Sequence, residues 1–151
     1  MKRSLVTLFG SFFYTGFFPF APATFASLVW LAVWLFVPGG RLLTHPVALV
    51  ITIPLAIWLS FIMEGYYGED ASKIVIDEVV GMQVTLFMLT PEWKVGIAGF
   101  LLFRLFDIAK PFPVGRSQKL KGGFGVVIDD FLAGLYSYAA LYILSRFTGI
   151  I

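Results

Sequence analysis

The chain has no cysteine and a single histidine, His45. Without cysteine there is no disulfide, no thiolate nucleophile and no cysteine-ligated zinc. One histidine cannot build a histidine-rich metal site or a paired-histidine phosphate transfer. Charge is also scarce: 13% of the 151 residues are Asp, Glu, Lys or Arg, about half the share in an ordinary globular chain. The net charge of +2 is too small to argue for a polyanion, so nucleic acid is not an expected partner. What charge there is falls unevenly. Residues 4–40 carry none over 37 positions, and residues 42–63 none over 22, and runs of that length can cross a bilayer. With 59% apolar residues and a mean hydropathy of +0.90, the expected class is all-α: a small polytopic membrane bundle forming one domain over residues 1–151.

Apolar runs bounded by proline and glycine predict about five helices, near 24–37, 46–64, 74–89, 94–108 and 128–147. Pro38-Gly39-Gly40 stops the first, Pro46 can start the second and Pro54 should kink it. Thr90-Pro91-Glu92 separates the third from the fourth, and Pro111 with Pro113 ends the fourth. At 1.5 Å per residue the third and fourth would be only about 24 and 22 Å long, short against a hydrocarbon core of ~30 Å. The first 26 residues have the outline of a secretory leader, with Lys2-Arg3 and Ala21-Pro22-Ala23. Thr15, Gly16, Pro19 and Pro22 interrupt that stretch and suit a re-entrant or interfacial segment better, although a spanning course for residues 5–21 stays open.

If the helices alternate in direction, one membrane face collects Glu64, Glu69, Asp70, Asp77, Glu78, Asp107, Asp129 and Asp130, eight of the nine acids. Basic residues divide eight to three in favour of the same face, which the positive-inside rule makes cytoplasmic. Five of those acids, Asp77, Glu78, Asp107, Asp129 and Asp130, approach one depth from three helices. Carboxylates at a membrane boundary are costly unless paired, hydrated or bound to metal. With oxygen ligands alone on offer, Mg²⁺ is the expected occupant; a set of acids paired to Arg104, Lys110 and Lys119 is the plainer alternative. The chain also echoes itself, Val75-Ile76-Asp77-Glu78 with Gly81 against Val127-Ile128-Asp129-Asp130 with Gly134. Small residues one turn after each acid pair would let two helices approach closely.

Arg104, Asp107 and Lys110, at i, i+3 and i+6, share roughly one helix face and could set a phosphate against a metal. The loop that follows carries Arg116, Lys119, Lys121 and Gly122-Gly123-Phe124-Gly125. Its glycines could turn backbone N–H groups toward an anion, and its cations could hold lipid head groups. At the first helix, Thr24 is a candidate N-cap, with the Ser27 hydroxyl three residues on.

Together these segments resemble the phosphatidylglycerophosphatase A family of magnesium-dependent lipid phosphatases. The resemblance rests on Ile76-Asp77-Glu78-Val79-Val80-Gly81-Met82, on Phe103-Arg104-Leu105-Phe106-Asp107-Ile108-Ala109-Lys110-Pro111, and on Gly122-Gly123-Phe124-Gly125 with Asp129-Asp130 and Ala133-Gly134. Ala23 and Ala26 stand where the family's N-terminal motif has glycine, and Lys73 where an acid is common. The resemblance implies Mg-dependent hydrolysis of phosphatidylglycerophosphate to phosphatidylglycerol and phosphate, in phospholipid biosynthesis at a bacterial cytoplasmic membrane. It implies that Asp77, Glu78, Asp107, Asp129 and Asp130 hold the metal and that Asp77, Glu78, Asp129 and Asp130 are catalytic. Thr24, Ser27, Arg104, Lys110, Arg116 and Lys119 would contact the phosphate and head group. Whether a carboxylate acts as general base or attacks phosphorus itself is not separable in sequence. A carboxylate-lined, ion-coupled transporter is the alternative from another class; it predicts acids near mid-bilayer and needs no cationic glycine-rich loop.

Overall fold

The computed structural model describes residues 3–69, 71–117 and 122–149, with the side chains of Arg116 and Ser117 outside that description. Its elements are α1 (Arg3–Gly10), a 3-10 turn (Thr15–Phe17), α2 (Pro22–Phe36), α3 (Gly40–Leu43), α4 (Pro46–Tyr67), α5 (Ile76–Thr85), α6 (Trp93–Ala109), α7 (Val114–Ser117) and α8 (Gly123–Thr148). No strand occurs among the described residues.

Most boundaries fall where the punctuation sets them. α2 stops before Pro38-Gly39, and α6 starts after Thr90-Pro91-Glu92. α4 has Pro46 in its first turn, where the missing N–H costs nothing. His45 caps it, its Nδ1 accepting from the Val47 N–H at 3.3 Å. α4 continues through Pro54.

The third predicted helix differs from expectation. α5 has ten residues rather than sixteen, and all ten are buried, enclosed by α2, α4, α6 and α8. Ten residues rise only about 15 Å. Beyond its acid pair α5 is largely apolar, which suits an interior, and such apolarity in sequence does not distinguish a membrane span from the centre of a bundle. Of the five or so apolar helices expected, two qualify by length and composition to cross a membrane: α4 with 22 residues and α8 with 26; α2 is a shorter apolar helix. Around α5 the core is filled by Trp30, Trp34, Leu59, Met63, Phe103 and Leu141.

Residues 5–21 form no single helix. After α1, three successive residues, Phe12, Phe13 and Tyr14, take left-handed backbone angles (φ 43°, 57° and 64°), and Ala21 does so again before α2. Such angles crowd any Cβ and break the segment into short pieces. The pieces leave Phe13, Tyr14, Phe17, Phe18 and Phe20 exposed.

Candidate metal centre

The acids meet because three helix ends meet. Asp77 and Glu78 sit in the first turn of α5, Asp107 in the last turn of α6, and Asp129 with Asp130 early in α8. α5 and α8 therefore run in the same direction from the site, and α6 runs toward it. Two glycines permit the approach. A Cβ on Gly134 would lie 2.6 Å from the Gly81 carbonyl oxygen, and one on Gly81 would lie 3.1 Å from that of Asp130. Backbone touches backbone where any side chain would separate the helices. The close contact expected from the echo between the two acid motifs is present, one turn after each acid pair.

All five carboxylates are buried, none more than 9% exposed. Carboxylate oxygens of Asp77, Glu78 and Asp130 lie within 4.8 Å of one another, and so do oxygens of Asp107, Asp129 and Asp130. Asp130 thus belongs to both triads. Two cations enter the same space. Arg104 Nη2 is 3.0 Å from Asp107 Oδ2 within α6, and Lys110 Nζ reaches across to Asp129 Oδ2 at 2.8 Å. Lys110 is the C-cap of α6 and has a left-handed backbone (φ 43°), which turns the chain into Pro111. Burial works against the Lys110 charge, but the hydrogen bond and charge of Asp129 outweigh it and hold the ammonium above the usual lysine range.

Five buried carboxylates against two cations leave three formal negative charges. Burying charge without compensation costs several kcal/mol per ion. Among the described residues, Asp77 Oδ1, Glu78 Oε2 and Asp130 Oδ2 are buried with no hydrogen-bond partner. A donor set of carboxylate oxygens, charged and partly unsatisfied, fits a hard divalent cation such as Mg²⁺ and not a soft one. Arg104 Nε and Nη1 are likewise buried without a partner among the described residues, so two nitrogens carrying three N–H groups are open to an anion.

The other expected site residues are placed differently. Thr24 is not an N-cap: α2 begins at Pro22 with Ala21 as its cap, so Thr24 lies inside the first turn. Ser27 is fully buried and its hydroxyl donates to the Ala23 carbonyl at 2.9 Å. Among the described residues no hydrogen bond joins either to the acid cluster. Lys119 and Lys121, with Lys2 and Asp70, lie outside the described residues, as does the Arg116 side chain. The glycine run is not an open loop. Gly123, Phe124 and Gly125 form the first turn of α8, and a Cβ on Gly123 would collide with the Ile57 carbonyl oxygen and lie 2.7 Å from the Phe61 nitrogen. Those glycines bring α8 onto α4. Sequence reasoning missed this role, whereas the ion pairs of Arg104 with Asp107 and of Lys110 with Asp129 are of the kind that the plainer alternative, acids paired to those cations, anticipates.

A family model described as phosphatidylglycerophosphatase A matches residues 8–145. A Bacteroides thetaiotaomicron protein that carries phosphatidylinositol-3-phosphatase as a provisional name is 43% identical over 91% of this chain and 93% of its own. The phosphatidylglycerophosphatase A of Escherichia coli is 32% identical over 89% of this chain and 80% of its own. That of Haemophilus influenzae is 42% identical over 49% of this chain and 47% of its own. No solved structure matches. With a family match across nearly the whole length and the acid motifs inside it, this chain belongs to the phosphatidylglycerophosphatase A family of phosphatases.

Proposed function

We propose that the protein is a Mg²⁺-dependent lipid phosphatase that hydrolyses the terminal phosphomonoester of phosphatidylglycerophosphate to phosphatidylglycerol and phosphate, as a step of phospholipid biosynthesis. The observation that carries this reading is the pairing, in one buried space, of unsatisfied carboxylate oxygens on Asp77, Glu78 and Asp130 with unsatisfied N–H groups on Arg104. The first set calls for a cation and the second for an anion, and a phosphate ester held against a metal supplies both. Mg²⁺ bound by Asp77, Glu78, Asp107, Asp129 and Asp130 would contribute positive charge for the phosphate oxygens and make water more acidic.

The chain's own groups do the rest. Arg104 donates from Nε and Nη1 to phosphate oxygens and offsets the charge that moves during transfer. Lys110 holds Asp129 in place through its 2.8 Å contact. A carboxylate of the cluster takes the proton of the attacking water as its oxygen bonds to phosphorus, or attacks phosphorus itself. The ester P–O bond then breaks and the glycerol oxygen leaves with the proton that the carboxylate took from water; where a carboxylate attacks instead, the glycerol oxygen takes its proton from a neighbouring protonated acid, and water then hydrolyses the acyl phosphate to release phosphate.

Membrane placement is supported by the outer helices. Only 22% of the most apolar stretch of α4 is buried, unlike the core helix of a soluble domain, and Val50, Ile51, Phe61, Leu101, Ile108 and Phe147 are all at least 60% exposed. Apolar surface on that scale needs a lipid or protein partner. We place the protein in the bacterial cytoplasmic membrane as a multi-pass protein. Its acid end faces the cytoplasm by the distribution of Lys and Arg, and the aromatic N-terminal segment lies at the interface.

The relative named for phosphatidylinositol 3-phosphate supports a second substrate. Both lipids carry a phosphomonoester on a head group joined to diacylglycerol by a phosphodiester, so one assay decides. Purified protein in detergent is given each lipid with and without Mg²⁺, and released phosphate is measured. We expect Mg-dependent release, faster from phosphatidylglycerophosphate. No release from either lipid, or release unchanged in Asp77→Asn and Asp130→Asn, overturns the reading; preference for the inositol lipid replaces the substrate.

A further inference from the structure

A second group of charges stands at the C-terminal end of α4, outside the acid cluster. Arg3 at the start of α1 has its guanidinium carbon 5.0 Å from the centre of the Tyr66 ring and 5.4 Å from that of Tyr67. Lys73 Nζ lies 4.9 Å from the centre of the Tyr67 ring and 5.2 Å from that of Phe17. Phe17 meets Tyr67 edge to face, and the Tyr67 hydroxyl shares a 3.1 Å hydrogen bond with that of Thr7. One ring thus carries two cations. Among the described residues neither is ion-paired, since the ion pairs formed are Arg104 to Asp107 and Lys110 to Asp129.

The arrangement is held by backbone as well as by rings. The Val75 N–H donates to the Gly10 carbonyl at 3.1 Å. Gly16 lies against the Lys73 carbonyl so closely that a Cβ there would be 2.9 Å from the carbonyl carbon. α1 and the 3-10 turn therefore clamp the link that runs from the end of α4 to Asp77, and the two cations stand at the same end of the bundle as the acids. Arg3 and Tyr66 are exposed and Lys73 partly so. Tyr14, exposed and packed against Phe17, and the exposed Tyr66 are of the residue type that settles at the head-group level of a membrane. Two like charges brought to one ring repel each other. Ring faces offset that only weakly, so a negative group between the cations would complete the site.

We propose that Arg3 and Lys73, seated on Tyr66, Tyr67 and Phe17, bind the phosphodiester of a phospholipid. The site rests on the lipid-phosphatase reading for its source of ligand, because both candidate substrates carry such a phosphodiester beside the phosphomonoester. It is separate from the acid cluster that would act on the phosphomonoester. The phosphodiester belongs either to the substrate itself or to a neighbouring anionic lipid.

The test uses the full chain in detergent and phosphatidylethanol, an anionic phosphodiester that is neither candidate's product, with lipid retention followed by native mass spectrometry. Each cation near an anionic lipid surface contributes enough that Arg3→Gln/Lys73→Gln should retain this lipid roughly thirtyfold less tightly than the unmodified protein. The charge-preserving Arg3→Lys/Lys73→Arg should retain it nearly as well. Equal retention by the unmodified protein and the glutamine variant overturns the proposal, as does equal loss in both variants, which would reflect altered packing. Kinetics then separate the sources. A raised KM for the two-phosphate lipid with kcat held, and no change for phosphatidic acid, assigns the site to the substrate. An unchanged KM with loss of activation by added phosphatidylethanol assigns it to a neighbouring lipid. Retention needs no turnover, so a protein that binds the lipid but releases no phosphate fails the phosphatase reading alone.

Discussion

At one end of the bundle five buried carboxylates stand with two part-buried cations; at the other, Glu92, Lys94 and Arg146 stand exposed. The exposed charges are hydrated and ask nothing of their neighbours. The buried ones must be compensated by something of opposite sign, and the two cations present are not enough. Position in the fold, more than residue type, separates a charge that acts from one that merely keeps a helix end wet. The largest test of that contrast is Asp130→Asn, because Asp130 stands in both carboxylate triads. Phosphate release should fall at least about a hundredfold, the scale at which metal sites respond to lost ligands and their supports. Glu92→Gln at the far end should stay within about twofold. Similar losses in both would erase the distinction.

If a divalent cation relieves the acid end, it must also stabilise it. At a hundredfold excess over its Kd, a ligand bound only by the folded state adds about 2.7 kcal/mol, which for a chain of this size raises Tm by roughly 5–10 °C. We expect that rise with Mg²⁺, its reversal by chelator, and its absence in Asp130→Asn, followed by thermal unfolding in detergent. A rise that survives in Asp130→Asn would move the metal elsewhere.

Arg104 sharpens the comparison on the cationic side. It turns Nη2 to Asp107 and keeps Nε and Nη1 buried and without a partner among the described residues. A hydrogen bond to a charged group contributes about 1.5–3 kcal/mol, so Arg104→Gln should lower kcat/KM roughly tenfold to a hundredfold. Arg146→Gln, exposed near the end of α8, should not change it. An Arg104→Gln variant with full kcat/KM would reduce the guanidinium to a partner for Asp107.

The glycines divide in the same way. Gly134 touches the Gly81 carbonyl across the α5 and α8 contact, whereas an added Cβ at Gly65 in α4 meets nothing within 4 Å. Gly134→Ala should destabilise by about 1–3 kcal/mol through overpacking and weaken Mg²⁺ binding by parting the helices. Gly65→Ala should stabilise by roughly 0.5–1 kcal/mol, because alanine suits a helix better than glycine. Denaturation midpoints in one detergent would show whether the signs differ.

The same contrast explains which features are legible in the amino-acid sequence. Asp77, Glu78, Asp107, Asp129 and Asp130 stand out because charge is rare in the chain, and Gly81 and Gly134 because each follows an acid pair by one turn. Sequence misleads where one local signal has two meanings. Gly122-Gly123-Phe124-Gly125 reads as a flexible anion cradle, yet Gly123 is needed for contact with Ile57 of α4, a neighbour far away along the chain. An apolar run over 74–89 reads as a short span, yet α5 is the enclosed centre of the bundle. Thr24 reads as a cap because it precedes an apolar run, but Pro22 can already begin the helix ahead of it. For the first two the deciding partner is distant in sequence or is the membrane itself; for Thr24 it is a proline that serves equally well as a stop and as a start.

The smallest effect should come from Gln83, on the same helix as Glu78 and also buried, but five residues further from the acid end. Its Nε2 donates to the Leu43 carbonyl at 2.9 Å and lies 3.4 Å from Thr52 Oγ1, while its Oε1 has no partner among the described residues. Gln83→Met removes an amide that is only half satisfied and leaves one carbonyl unpaired. Those effects oppose each other, each about 1 kcal/mol, so stability should change by less than about 1 kcal/mol and phosphate release should not change. Glu78→Met removes a carboxylate from the Asp77 and Asp130 triad and should abolish release even if the protein becomes more stable, since a buried, unsatisfied acid has gone. A pair of variants with stability and activity moving in opposite directions at Glu78, and neither moving at Gln83, would show that the burial of acids at one end of α5 is a cost kept for catalysis.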